Sequence, residues 1–285
     1  MKLHWAVQYG KGIFSATNGG AYSYRVHDMR MRRALEEIGV EITFDPQEDS
    51  DISVHLLRPD YFTPTPGKKN LLFTQTELTA PVVWSPRVNE ADVVVTSCKH
   101  SKHVISQVYP GPVEVCPEGT DPLLFGFHQR QEPKPNEIFR FLFHGQDFYS
   151  TRKGLSFVLS AWMSWWKSGE MPANAQLYIK TSEFGGAPVQ FCTPLGAQDM
   201  SPYLPLPRMD LIEKLGRAII IDCRDLPVEE IAATYRTSHA FVSASCGEGW
   251  FLPLVDFMAS GGPAIWTHRQ TTATSAWATR LLAFT

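Results

Sequence analysis

Apolar residues recur along this chain in two rhythms. Short apolar runs set between polar or glycine-containing stretches read as buried strands, and longer stretches with apolar residues three or four apart read as amphipathic helices. The first half gives strands at residues 3–8, 41–44, 52–57, 71–76, 92–97 and 113–116, and helices over 22–38 and 99–108. The first helix is expected to turn Val26, Met29, Leu35 and Ile38 toward the core, with Gly39 as its stop. The second half gives strands at 139–143, 176–180, 218–222, 240–243 and 264–266, and helices from Leu155, at 209–215, 228–236 and 254–260. Residues 181–207 are rich in proline and glycine and read as irregular. Trp162, Trp165 and Trp166 share helical spacing with Leu155, Val158 and Leu159, which makes them core or interface. Repeated strand–helix–strand units imply a parallel sheet covered by helices on both faces. Both halves read this way, with no residue-level repeat. The polar stretch 126–136, with Pro133 and Pro135 and no periodicity, reads as the linker between domains 1–130 and 137–285. The expected class is α/β, with two Rossmann-like parallel-sheet domains facing each other across a cleft.

Composition narrows the function. The 285 residues carry a formal net charge of −3, so there is no basic excess to meet nucleic acid. No run approaches the ~18 apolar residues of a membrane span. The start, Met1 to Val7, reads as a strand and not a signal peptide. Five cysteines are scattered without a C-x-x-C pair, which points to a reducing, cytoplasmic setting and away from a disulfide framework or structural zinc. Cys98, His100 and His103 read as a strand end and an exposed helix start, and Asp49 and Asp51 as a solvated loop. No cofactor or metal is expected.

The densest chemistry lies between Ser245 and Pro263. A small-residue loop carries Glu248, and Pro253 sits where a helix begins, a position at which its missing N–H costs nothing. Gly261-Gly262-Pro263 ends that helix. Such a helix start, with free N–H groups and a positive dipole end, suits phosphate. Glu248 and Asp256 are spaced as if to address two ends of one ligand. Near the N-terminus, Gly10, Gly12, Gly19 and Gly20 lie between a strand and a helix, but Ser15 stands where the dinucleotide fingerprint needs a third glycine. That glycine loop is either a phosphate cradle or simply a turn. Glu77 follows an apolar strand, at the end where ligands bind in open α/β sheets, and reads equally as a capping acid.

Four segments, in order, resemble the retaining GT-B glycosyltransferases of the large family-four group. They are Gly19-Gly20 with the helix ending before Ile42; residues 93–104 with 115–121 and Phe125; residues 141–145 with Arg152-Lys153-Gly154; and residues 226–235 running through 240–243 into the Ser245 stretch. The family's E-x7-E signature looks like Glu248-x7-Asp256 here. The resemblance implies transfer of a sugar, with retention and without metal, from a nucleotide-diphosphate donor to an unassigned saccharide, lipid-linked or protein acceptor. It implies that Glu248 contacts the donor sugar beside Gly249 and Trp250, and that Asp256 holds the ribose. Arg152, Lys153, Gly19, Gly20 and the N–H groups of Phe251 and Leu252 would meet the diphosphate, and Asp222, Cys223 and Arg224 the base. Glu77 would position or deprotonate the acceptor.

The chain departs from the family at four points. The second acid is Asp256, one methylene shorter than Glu; Phe251 stands where the family usually has Gly; and Gln146 stands where an Arg often follows. The sequence stops shortly after the strand at 264–266, so the second domain is expected to be short at its C-terminus. Two other readings stay open: a non-catalytic sugar-nucleotide or glycan-binding relative, and a nicotinamide-dependent oxidoreductase.

Overall fold

A computed structural model describes residues 1–7, 21–77, 85–131, 133–135, 137–145, 152–181, 189–193, 196–199 and 218–267. They fall into two compact units. Unit one holds Met1–Gly119 and Gly247–Phe251, and unit two holds Thr120–Cys246 and Leu252–His268. The units part at Gly119 and Thr120, ahead of the polar stretch 126–136.

Unit one is built on a six-stranded, wholly parallel sheet. Its strands are β1 (Lys2–Trp5), β2 (Glu41–Thr43), β3 (Ile52–Leu56), β4 (Lys69–Phe73), β5 (Val93–Thr96) and β6 (Val113–Val115), in the order β2-β1-β3-β4-β5-β6. The helices are α1 (Ala21–Glu37), α2 (Ser85–Val88) and α3 (Lys99–Ile105). Successive side chains of a strand point to opposite faces, so each strand feeds two cores. Leu3, Trp5, Val54, Leu56 and Phe73 pack on one face with Tyr24, Met31 and Leu35 of α1. Leu72, Val94 and Val113 pack on the other with Phe62, Ile105 and Tyr109. Burial on both faces is why these strands read as apolar runs.

The same alternation buries polar groups. His4, Ser53, His55 and Asn70 share the face of Leu72 and satisfy one another. Ser53 Oγ meets His4 Nδ1 at 2.8 Å, His55 Nε2 at 3.0 Å and Thr65 Oγ1 at 2.8 Å; Asn70 Oδ1 meets His55 Nε2 at 2.9 Å and accepts from Thr65 N at 2.7 Å. Burial lowers the pKa of both imidazoles, His55 to about 4.

Helix α1 corrects the sequence reading. Met29 and Ile38 are exposed, and the inward positions are Tyr24, His27, Asp28, Met31 and Leu35. Two polar residues face inward because each finds a partner there. Asp28 accepts from Trp5 Nε1 at 2.6 Å and from Arg32, and His27 sets its ring edge-on to Phe73 at 4.5 Å. At the start of α3 the Cys98 sulfur caps the helix, accepting from Ser101 N at 3.4 Å.

Unit two contains α4 (Pro122–Phe125), β7 (Phe139–His144), α5 (Leu155–Ser168), β8 (Ala175–Lys180), β9 (Val189–Thr193), β10 (Gly196–Asp199), β11 (Ile219–Asp222), α6 (Val228–Arg236), β12 (Ala240–Ser243), α7 (Leu252–Ala259) and β13 (Ala264–Trp266). The sheet order is β10-β9-β11-β8-β7-β12-β13. The strands from β11 to β13 are parallel, while β9 and β10 add an antiparallel hairpin at the β11 edge. That hairpin replaces part of the irregular stretch expected over 181–207. The signal was present in the alternation Val189-Gln190-Phe191-Cys192-Thr193, masked by prolines and glycines around it. The helix expected at 209–215 lies outside the described residues. Helix α5 packs Leu155, Val158 and Trp162 into the core, with Trp165 and Trp166 against its margin.

The polar stretch after α4 is tied to unit two as far as Arg130. His128 N donates to Ser260 O at 3.2 Å. The Arg130 guanidinium donates to the Tyr235 carbonyl at 3.0 Å, to the Ser238 carbonyl and to Ser260 Oγ at 3.0 Å, and lies 4.5 Å from the Phe257 ring centre. It adds a charged donor to carbonyls at and just beyond the end of α6.

Candidate functional site

Ligands of open α/β sheets bind beyond the carboxyl ends of the strands, where the chain's progress across the sheet reverses. In unit two the chain runs β7, β8, β11 to one side and β12, β13 to the other, so the reversal lies between β7 and β12. The chain following β7 returns there as Arg152-Lys153-Gly154. Cys246 N donates to the Arg152 carbonyl at 2.7 Å, and Ser245 Oγ donates to it at 3.3 Å. Gly154 permits this approach: its φ is 73°, and a Cβ there would lie 2.1 Å from the Ala244 carbonyl oxygen. The backbone that carries two half-buried cationic residues, Arg152 and Lys153, is thereby held at the reversal point.

The strand ends beside them are also polar. His144, Lys180 and Asp222 stand side by side in register on β7, β8 and β11. Burial, reinforced by Lys180 and Lys153, pushes the His144 pKa down to about 3, so the ring is neutral; its Nδ1 lies 2.7 Å from the Tyr235 hydroxyl. Lys180 donates to the carbonyls of Thr181 (2.9 Å), Asp222 (3.3 Å) and Arg224 (2.6 Å), and burial lowers its pKa. Asp222 is fully buried. Its Oδ1 accepts from Arg224 N and Nε, both at 3.0 Å, and its Oδ2 from Arg224 Nη2 at 2.7 Å and from the Tyr178 hydroxyl. Burial pushes this carboxyl up, but the bonds from Arg224 and Tyr178 outweigh it and hold the pKa below its ordinary value. The Asp222 carboxylate therefore serves to hold Arg224, whose side chain stays accessible. Asp256 lies within α7, buried, with Oδ1 accepting from Thr120 Oγ1 at 2.5 Å.

In unit one the residues that follow the carboxyl ends of β4 and β5 meet the segment Gly247–Phe251. Ser97 Oγ donates to the Gly249 carbonyl at 3.1 Å. A Cβ on Gly249 would lie 2.3 Å from Gln75 Oε1, so a side chain there would displace the Gln75 amide; a Cβ on Gly247 would lie 2.7 Å from the Glu77 carbonyl oxygen. Unit one thus brings Glu77 together with the segment that carries Glu248, Gly249 and Trp250. Glu248 and Trp250 are buried, and Trp250 Nε1 has no hydrogen-bond partner. Gln75 Nε2 donates to Glu118 Oε1, and His27 Nδ1 lies 3.2 Å from the same oxygen. Phe251 has φ 70°, the one positive value at a non-glycine among the described residues. Gly19, Gly20 and Gln146 lie outside the described residues.

No family model matches the chain, and no curated protein matches it in sequence. Solved structures do match. "Trehalose-6-phosphate from E. coli bound with UDP-2-fluoro glucose" aligns with TM-score 0.54 and 11% identity over 95% of this chain and 68% of its own. Sucrose-phosphate synthase from Thermosynechococcus elongatus aligns with TM-score 0.51 and 15% identity over 95% and 66%. An α,α-trehalose 6-phosphate synthase from Burkholderia multivorans gives 0.54 and 12% over 93% and 66%. These neighbours are GT-B glycosyltransferases. The fold is GT-B. The chain spans about two thirds of the length of these GT-B neighbours, 68% of the first and 66% of the other two.

Within this GT-B fold the described residues include no group of three or more His, Cys, Asp or Glu placed to hold a metal ion. No described helix is long and apolar enough to cross a membrane. His144, Lys180 and Thr120 are residues that the sequence reading missed. For the first two a signal existed: each is the polar last residue of an otherwise largely apolar strand, Phe139–His144 and Ala175–Lys180. Thr120 gave no sign in the sequence of meeting Asp256.

Proposed function

We propose that this chain is the sugar-transferring part of a retaining glycosyltransferase that uses a nucleotide-diphosphate donor without a metal. The observation that carries the reading is the reversal point of unit two, where Ser245 and Cys246 bond the backbone carbonyl of Arg152, with Lys153 next in the chain. Breaking a sugar–phosphate bond leaves a diphosphate that gains negative charge in the transition state. Preorganised cations and backbone N–H groups are what stabilise such charge. In this reading Arg152, Lys153 and the start of α7 at Phe251 and Leu252 meet the diphosphate, with Gly19 and Gly20 also at the phosphates. Glu248, with Gly249 and Trp250, lines the sugar. Asp256 holds the ribose. Arg224 and the backbone of Cys223 meet the base, with Asp222 acting through Arg224.

The C1–O bond to phosphate breaks and a bond from C1 to the acceptor oxygen forms on the same face. In this reading Glu77 holds the acceptor hydroxyl, whose proton passes to Glu77 or to the departing diphosphate. The diphosphate leaves with the electron pair of the broken bond. No protein nucleophile is needed, so Glu248 is not assigned that role.

A second reading, a non-catalytic sugar-nucleotide binder, draws on Phe251, a bulky side chain where the resemblance calls for glycine. Thermal shift against uridine, guanosine and adenosine diphosphates and their sugars tests both, since a ligand of the native state raises Tm by mass action. Donor turnover by the wild-type chain that is lost in Glu248→Ala supports transfer. Nucleotide binding without turnover supports the second reading. No response to any nucleotide overturns both.

A further inference from the structure

Lys180 is the last residue of β8, in register between His144 of β7 and Asp222 of β11. It is 6% exposed, so its charged end lies out of water and must be matched inside the chain. The match comes from backbone: the carbonyls of Thr181, Asp222 and Arg224 converge on Nζ at 2.9, 3.3 and 2.6 Å. Three acceptors around one nitrogen use the three N–H groups of the ammonium form, and the Asp222 carboxylate favours that charge against burial. A side chain engaged in this way has no donor left for a ligand. What it holds is the chain that follows β11. Residues 223–227, between β11 and α6, are neither helix nor strand. Such a segment keeps one shape only where specific bonds offset its backbone entropy. Arg224 is gripped there on several sides. Lys180 takes its carbonyl, Asp222 Oδ1 accepts from its backbone N at 3.0 Å, and the Asp222 carboxylate accepts from its Nε and Nη2. The Arg224 side chain nevertheless stays 40% exposed.

We infer that Lys180 is a positioning residue for recognition of the nucleobase: by pinning the carbonyls of Asp222 and Arg224 it sets where the Arg224 guanidinium stands before a nucleotide arrives. Asp222 orients the guanidinium relative to its own backbone, and Lys180 orients that backbone relative to the sheet. Preorganisation of this kind raises affinity by cutting the ordering cost of binding. The inference rests on the proposed reading of Arg224 as a base contact and adds the residue that fixes its place. It needs no open site on Lys180 itself.

The test compares bases. Uridine, guanosine and adenosine diphosphates are titrated calorimetrically against wild type, Lys180→Met and Lys180→Gln. Ribose and diphosphate are common to the three probes, so the ratio of their affinities reports contact with the base alone. Wild type is expected to prefer one of them. Lys180→Met, similar in length and without a donor, should lose about tenfold in affinity for the preferred nucleotide, the worth of one well-placed hydrogen bond, and little for the others, so that the preference flattens. Lys180→Gln, shorter and uncharged but still a donor, should fall between. A merely structural role would weaken all three alike and leave the ratio unchanged. If Lys180→Met folds and keeps the wild-type ratio, or if neither variant folds, the inference falls while the functional reading stands. If only Lys180→Gln folds, its ratio decides in the same way. If wild type binds all three equally, the base-contact reading of Arg224 and the inference fall together; if it binds none, the functional reading falls with them.

Discussion

Phe251 offers the sharpest test of how backbone and side chain share the cost at this site. Its φ of 70° lies in the left-handed region, and its side chain is 6% exposed. For an L-residue with a Cβ that conformation costs about 1–2 kcal/mol, because the Cβ crowds the following carbonyl. Glycine avoids that penalty. Truncating a buried Phe to Ala costs about 3–5 kcal/mol in lost burial and cavity, so Phe251→Ala and Phe251→Gly both destabilise. The informative quantity is the difference between them. Both variants leave nearly the same cavity, and alanine retains the strain that glycine relieves. Opposing this, glycine's freer unfolded chain favours alanine by about 0.4–1 kcal/mol. The balance leaves Phe251→Gly about 0.5–1 kcal/mol more stable than Phe251→Ala, the reverse of the order seen at ordinary positions. Urea denaturation of the three proteins, with matched m-values, measures it. An alanine variant more stable than the glycine variant by about 0.4–1 kcal/mol would show that the left-handed backbone carries no strain here, and the argument would fail.

Two further outcomes follow from buried polar groups. Arg130→Met should destabilise the chain by about 2–3 kcal/mol, because several carbonyls near the end of α6 lose a charged donor; Arg130→Lys should not restore the loss, since a single ammonium cannot span both Tyr235 O and Ser260 Oγ, and a urea midpoint that Arg130→Met leaves unmoved would refute the clamp. Acid should weaken the fold through His55 and His144, whose folded pKa values of about 4 and about 3 lie below the ordinary 6.5. Their stabilisation is complete above pH 6.5 and is lost as pH falls through the window down to those values, by about 2 kcal/mol for each at pH 5; Tm measured from pH 7.5 to 5 should fall less steeply in His55→Gln than in wild type, and parallel profiles would refute the assignment.

Legibility followed burial. The strands of both parallel sheets could be read because burial on two faces makes each an apolar run, and the two ends of unit two's last helix could be read because Pro253 and Gly261 have few other uses. What stayed hidden were inward-facing polar groups. The inner face of α1 carries His27 and Asp28, which a hydrophobic periodicity assigns to solvent; they are inside because Trp5 Nε1 and Glu118 meet them there, and such partners are distant in sequence. Arg130 is the same case in a stretch that composition marks as linker. Its partners lie at the ends of α6 and α7, more than a hundred residues onward.

Asp222 shows why an acid at a strand end is not yet a ligand contact. The sequence places a carboxylate at the end of an apolar strand, in the position where open sheets receive their ligands, and Arg224 follows two residues later. That pattern fits two arrangements with opposite meanings. Either the acid faces the ligand and the arginine faces solvent, or the acid turns inward and grips the arginine. Packing decides between them. Tyr178, two residues from the end of the neighbouring strand, offers a buried hydroxyl to Oδ2, and Lys180 ties the backbone of Asp222 and Arg224 from below. A carboxylate bonded on both oxygens inside the sheet edge has no reason to face outward, because leaving the Tyr178 hydroxyl unpaired would cost about 1–3 kcal/mol. The group presented at this strand end is therefore the guanidinium, a planar cation suited to stacking or to bidentate acceptors. On this account a base-contact reading of residues 222–224 rests on Arg224 and on backbone, and substituting Asp222 acts on a ligand only through the arginine it holds.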